Sequence, residues 1–350
     1  ELSAAVTMEL LYYYALAHQD SFDVRWIRAK SIAEQLFAPL SARLMRDHNL
    51  TVLGGTIATR LNLEPGSGRI ASLETSDVAS GRKERINDVD AVVLAVGAKG
   101  LRALMANSPD CAVAAPELVA AGSLDAIDVV SVRLWLDRTV AVDDPANVFS
   151  RFEALRGSGA TFFMLDQLQD GSLDALWGGV EPQGSVIASD FYNASEIAGL
   201  SDQAIVDTLM QDLLPVAQSA FRDAQVLDSE VRRYPASVSL FSPGSATKRP
   251  PLETSLDAVV CAGDWVRMGE REFGAKGLCQ ERAFVCGLEA ANALMRRGVI
   301  SAAVNRQHRV LPIRPDEPQV LLGRALNNVL MDPLDRLGIG WPWLGDQNIP

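Results

Sequence analysis

Apolar positions fall into distinct patterns along this chain, and each pattern predicts a different element. Continuous apolar runs at residues 88–96 (DVDAVVLAV) and 258–262 have the character of buried parallel strands, which are covered on both faces and so do not alternate. Stretches rich in β-branched and aromatic residues at 129–136, 161–165, 185–192 and 229–234 read as strands of a strand-rich middle region. Residues 51–63 and 69–73, joined by the turn 64–68, read as a β-hairpin. Helical spacing recurs elsewhere. Residues 1–20 read as a helix, with Tyr12, Tyr13 and Tyr14 candidates either for core or interdomain packing or for lining an apolar channel. Ser31 and Glu34 form a capping box for a second helix bearing Ile32, Leu36, Leu40 and Leu44, which Pro39 must kink or split. Ser201 caps a third, bearing Ile205, Leu209 and Leu213 and stopping before Pro215. Residues 319–330 suit one more.

The densest signal lies at residues 259–295. An apolar run ends in Gly263 and Asp264, a polar loop follows, and an amphipathic helix starts near Gln280 and stops at Gly298, after Arg296 and Arg297. Phe284, Leu288, Ala291 and Met295 are expected to form its buried stripe. Glycine permits a sharp turn at a strand end, and the aspartate then offers an acceptor-only carboxylate suited to sugar or polyol hydroxyls. The first turn of the helix presents free N–H groups that favour an electron-rich carbonyl or a developing anion. Gly-Asp by itself is an ordinary turn. The attached helix, with its Ala290-Ala291-Asn292 ending, gives the dipeptide its meaning.

This order of strand, carboxylate, loop and helix resembles the carboxy-terminal FAD motif of the phytoene-desaturase-like flavoproteins, relatives of the flavin-containing amine oxidases. The resemblance implies a mixed α/β fold of the FAD-linked reductase type, with part of a Rossmann-like FAD domain and a strand-rich substrate domain. It implies that Asp264, after Gly263, binds the ribityl chain of FAD. The helix opening through Gln280, Glu281, Arg282 and Ala283 would face the pyrimidine end of the isoalloxazine, and the backbone at Ile57 would meet the adenine. Arg282 stands where phytoene desaturases usually have glycine, and the loop before Glu281 is longer than theirs. The corresponding division of the chain is residues 1–30 and 106–244 for the substrate domain, 31–105 and 245–300 for the FAD domain, and 301–350 as a tail.

The implied activity is FAD-dependent desaturation or isomerisation of a lipophilic polyene such as a carotenoid precursor. Amine oxidation is the enzymatic alternative, and a truncated lipid- or partner-binding module the non-catalytic one. No catalytic residue is assigned, because flavin chemistry needs none of the triads or metal clusters that hydrolases carry. Phe162, Phe163, Trp177, Phe191 and Phe241 are candidates either for core packing or for lining a lipophilic tunnel.

Composition narrows the field further. A net charge of −12 without a basic stripe argues against nucleic acid. Cys111, Cys261, Cys279 and Cys286 show no CxxC spacing and the three histidines are scattered, so no zinc site is read. Trp341 and Trp343 imply packing or peripheral membrane contact, and the expected setting is a plastid or the bacterial cytoplasm and membrane periphery. No G-x-G-x-x-G occurs, although the strand at 88–96, followed by Gly97, Gly100 and a helix with Leu101, Leu104 and Met105, makes half of a dinucleotide fold. The chain begins at Glu1 without Met, so the phosphate-binding turn is expected upstream, and these 350 residues alone are expected to hold flavin weakly.

Overall fold

A computed structural model describes residues 7, 28, 30–64, 66–170, 173–269, 280–300, 309–310 and 317–336, the side chains of the last stretch only in part. Apart from Thr7, the helix expected at 1–20 lies outside them, as do the loop 270–279 with Cys279 and the tryptophans at 341 and 343. Strands and helices mix throughout, as an α/β chain requires.

The capping box forms as expected, with Ser31 Oγ donating to Glu34 Oε2 at 2.8 Å and the Glu34 N–H donating to Ser31 Oγ at 3.3 Å. A π-helical turn, Ala33–Phe37, then leads into α1 (Ala38–Asp47), whose start accommodates Pro39. The hairpin strands are β1 (Thr56–Leu63) and β2 (Ile70–Asp77), and β3 (Lys83–Asn87) adds a third antiparallel strand. The apolar run at 88–96 contributes only β4 (Val92–Leu94) before α2 (Ala98–Ala106), which buries Leu101, Leu104 and Met105. Two short helices follow, α3 (Pro109–Ala114) and α4 (Pro116–Gly122).

The middle region is a five-stranded antiparallel sheet. Its strands are β5 (Asp125–Leu136), β6 (Ala146–Phe149), β7 (Gly159–Met164), β8 (Val186–Tyr192) and β9 (Val226–Leu240), arranged β6-β7-β8-β5-β9. Val130, Val132, Leu134 and Leu136 of β5 point one way, with Phe162 and Phe191, and pack on the helical segment 202–217. Phe149 stacks on Phe162, which meets Phe221 edge-on, so this core is aromatic at its centre. Phe162 and Phe191 are therefore core residues, and Phe241 is buried in the other core, against Arg249.

The helical segment departs from expectation at Pro215. Ser201 Oγ accepts from the Ala204 N–H and starts α5 (Asp202–Asp207), but the chain does not stop before the proline. A π-helical stretch, Thr208–Leu213, widens the helix, the Leu214 N–H donates to the Leu209 carbonyl, and helical backbone continues through Leu214–Ala217. Proline lacks an N–H and its ring presses on the carbonyl four residues back. A bond five residues back avoids that carbonyl.

The second core gathers segments from either side of the middle region. Leu61, Ile70, Leu94, Leu101 and Leu118 pack with Val259, Val260, Ala290 and Leu294. Cys111 to Leu124, placed with the middle region by sequence, pack here as well. At its centre β10 (Val259–Cys261) runs parallel to β4, and behind them lies α6 (Gln280–Arg296). The last described element is α7 (Pro318–Arg336), and no helix among the described residues is long and apolar enough to cross a membrane.

Candidate functional site

Strand β10 is fully enclosed, and its last ladder bond joins the Ala262 N–H to the Leu94 carbonyl at 3.1 Å. There the chain turns. Gly263 sits at φ 136°, and a Cβ on it would approach Trp265 Cδ1 to 3.1 Å, so glycine is required both by its backbone angle and by the buried indole beside it. Asp264 follows, half-buried at the carboxyl end of the parallel pair, where ligands of open α/β sheets bind.

Two guanidinium groups hold this turn from behind. Arg282 donates from Nε to the Asp264 carbonyl and from Nη2 to the Val266 carbonyl, both at 2.7 Å. Arg249 donates from Nε to the Trp265 carbonyl at 2.8 Å and from Nη2 to the Val266 carbonyl at 3.2 Å. Arg249 is itself placed by the Phe241 ring, 5.2 Å from its guanidinium carbon. Burial pushes the Asp264 carboxyl above the ordinary aspartate range, opposed by nearby backbone N–H groups and by the charges of Arg282 and Arg249.

The helix that completes the motif is α6. Gln280 and Glu281 are exposed at its first turn, Ala283 is half-buried, and the Arg282 side chain runs inward, 1% exposed. The Arg282 bonds bring its N-terminus and the Asp264 turn together. Ile57 stands apart on β1, 55% exposed and paired with Ser76 of β2, with no direct bond to the Asp264 turn among those described.

The buried face of α6 is not the expected one. Arg282, Val285, Cys286, Glu289, Ala290 and Ala293 turn inward, whereas Phe284 is 59% exposed and Leu288, Ala291 and Met295 are only half-buried. The true stripe contains polar residues that have partners: Glu289 accepts from Asn292 Nδ2 and pairs with Arg296, and Arg282 reaches the turn carbonyls. Cys286 is fully buried, with its thiol 4.0 Å from the Cys261 carbonyl, and burial pushes the Cys261 thiol up to about 12. These thiols are packing groups.

Sequence reading named Arg282 for the backbone of the helix opening but missed the inward role of its side chain, and it missed Arg249 altogether. Their partners are backbone carbonyls, which leave no residue-type signature. The available signal was Arg249 immediately before Pro250 and Pro251, and an arginine in the first turn of a helix, where a cation opposes the macrodipole.

A profile of the flavin-containing amine oxidoreductases matches residues 14–297. The carotenoid phi-ring synthase of Streptomyces griseus is 30% identical over 301 residues, which cover 85% of this chain and 52% of that protein. The chain thus spans about half the length of the curated relative it matches. Among solved structures, a candidate protoporphyrinogen oxidase from Exiguobacterium sp. 255-15 aligns with TM-score 0.43 and 16% identity, over 72% of this chain and 47% of that one. Cyclohexylamine oxidase from Brevibacterium oxydans aligns with TM-score 0.41 and 11% identity, over 68% and 48%.

Proposed function

The chain belongs to the flavin-containing amine oxidoreductase family, and from that premise we propose that it contributes the ribityl and pyrimidine contacts of an FAD-dependent oxidoreductase acting on a lipophilic polyene. The observation that carries the reading is a half-buried carboxylate, Asp264, at the carboxyl end of a parallel strand and tied to the first turn of the following helix. The residues present fit the cofactor. A half-buried, acceptor-only carboxylate needs a hydroxyl partner, and a ribityl chain supplies hydroxyls. The N–H groups of the α6 first turn suit the electron-rich carbonyl edge of the flavin.

When bound, FAD accepts a hydride or electrons from the substrate. The protein's share is position and electrostatics. Asp264 orients the ribityl chain, and the α6 N-terminus stabilises negative charge at the pyrimidine edge. The polyene assignment rests on the resemblance to the carotenoid phi-ring synthase.

The experiment is a flavin titration of the complete apoprotein as wild type, Asp264→Asn and Asp264→Ala, beside thermal melts without flavin. A charge-assisted hydrogen bond at a largely dry site is worth about 1.5 to 3 kcal/mol, so Asp264→Ala is expected to bind FAD roughly tenfold to a hundredfold more weakly, with Asp264→Asn between. Equal affinity across the series with shifted melts would assign Asp264 to the turn alone. The bound flavin is expected to be reduced by polyenes and not by primary amines. The reverse preference would move the protein to amine oxidation.

A further inference from the structure

We propose that Arg282 is a positioning residue of the flavin site: a strut that fixes the register between the Asp264 carboxylate and the first turn of α6, so that both engage the same bound flavin. This rests on the flavin reading above and adds a role for a side chain pointing away from the cofactor.

The placement of Arg282 is costly unless something offsets it. A cation in the first turn of a helix opposes the macrodipole, and burying a long side chain removes much of its rotamer freedom. The offset is visible in its bonds to the Asp264 and Val266 carbonyls, each at 2.7 Å. A planar fork with fixed N–H directions can hold two carbonyls in one geometry, which a lysine ammonium on a flexible stem does not. Arg249 takes the Trp265 and Val266 carbonyls from the preceding segment. All three successive carbonyls of the turn therefore accept from a guanidinium, and the peptide planes that set the direction of the Asp264 side chain are held.

The strut also shortens a long route. Asp264 and Arg282 are 18 residues apart along the chain, yet the guanidinium joins them directly. Packing of Cys286 and Ala290 behind β10 sets how far α6 lies from the strand. The Arg282 bonds set how its N-terminus is placed along the turn. The same charge helps keep Asp264 ionised in a half-buried position.

A double-mutant cycle in the complete protein tests this, with FAD affinity measured for wild type, Arg282→Gln, Asp264→Ala and the pair, and with flavin-free melts as the folding control. If Arg282 acts through Asp264, Arg282→Gln weakens FAD binding on the order of tenfold in the wild-type background and less than about twofold once Asp264 is alanine. Arg282→Lys, which keeps the charge and loses the fork, should fall between wild type and Arg282→Gln, and it decides the matter if Arg282→Gln does not fold. Equal losses in both backgrounds, or wild-type affinity in the Arg282 variants, would overturn the strut while leaving the flavin reading intact. Unchanged affinity in Asp264→Ala would remove the flavin reading itself.

Discussion

At the scale of single residues, the structure assigns work by where a side chain's partner lies. Asp166 is an instance away from the candidate site. Its carboxylate accepts from Ser185 Oγ at 2.8 Å and from the Val186 N–H at 3.2 Å, and burial raises its pKa despite both bonds. In the window between the ordinary aspartate value and the raised one, the folded protein binds more protons than the unfolded chain. Stability contributed by this group is therefore greatest at low pH and falls as pH rises through that window. Asp166→Asn keeps an acceptor for the Val186 N–H and offers a donor to the Ser185 hydroxyl. It is expected to fold as well as wild type at neutral pH and to flatten the pH dependence of the denaturation midpoint across the acidic window. A steeper dependence, or a large loss at neutral pH, would count against this account. Gly263 and Asp264 were legible in the sequence because a strand-end turn writes itself in residue types. The inward path of Arg282 was not, since carbonyl acceptors are common to every residue. The stripe through Phe284 misled for a related reason: counting only apolar residues skipped Arg282 and Glu289, both of which are buried with partners.

At the scale of elements, α6 is bolted to the strand segment at both ends by arginines donating to backbone. Arg297, just past its end, donates to the carbonyls of Thr254, Leu256 and Asp257 and pairs with Glu253, mirroring Arg282 at the other end. Removing this end of the clamp, by Arg297→Ala, is expected to cost about 2 kcal/mol in denaturant unfolding, because several part-buried carbonyls lose a charged donor together. It should leave flavin affinity within about twofold of wild type, since the proposed flavin contacts lie at the Asp264 end. A loss below about 0.5 kcal/mol would show the bonds to be surface contacts of little weight. Most elements were readable. The hairpin, the β5 and β8 strands and α6 follow from apolar patterning and turn chemistry. Strand β3 was not, because all five of its residues are exposed and no alternation betrays it. The continuation through Pro215 was not, because a π-helical stretch costs little in sequence and is specified by the packing of Leu209 and Leu213.

At the scale of the molecule, two cores divide the chain unevenly. One is built from a contiguous middle, and the other is closed by elements from before and after it. Sequence reading placed α3 and α4 with the contiguous middle, and they pack instead in the other core, because their short apolar patterns fit either. The parallel pairing of β4 with β10 joins Val92 to Val259, so everything between them must be present before the ladder can close. Contacts that distant in sequence form late, after local ones have repaid their loop-closure entropy. Pulsed hydrogen exchange during refolding is expected to show β5 amides protected before those of Val92 and Ala262, whose N–H groups belong to the β4–β10 ladder. Protection in the opposite order would mean that the discontinuous core nucleates folding. During synthesis at the ribosome the consequence is a waiting period. Strand β4 emerges early and stays without its partner while the whole five-stranded sheet is made and folds, a span in which a chaperone holding that edge would raise the yield. If the Asp264 turn and α6 hold the flavin as proposed, cofactor loading is open only to chains already made as far as α6.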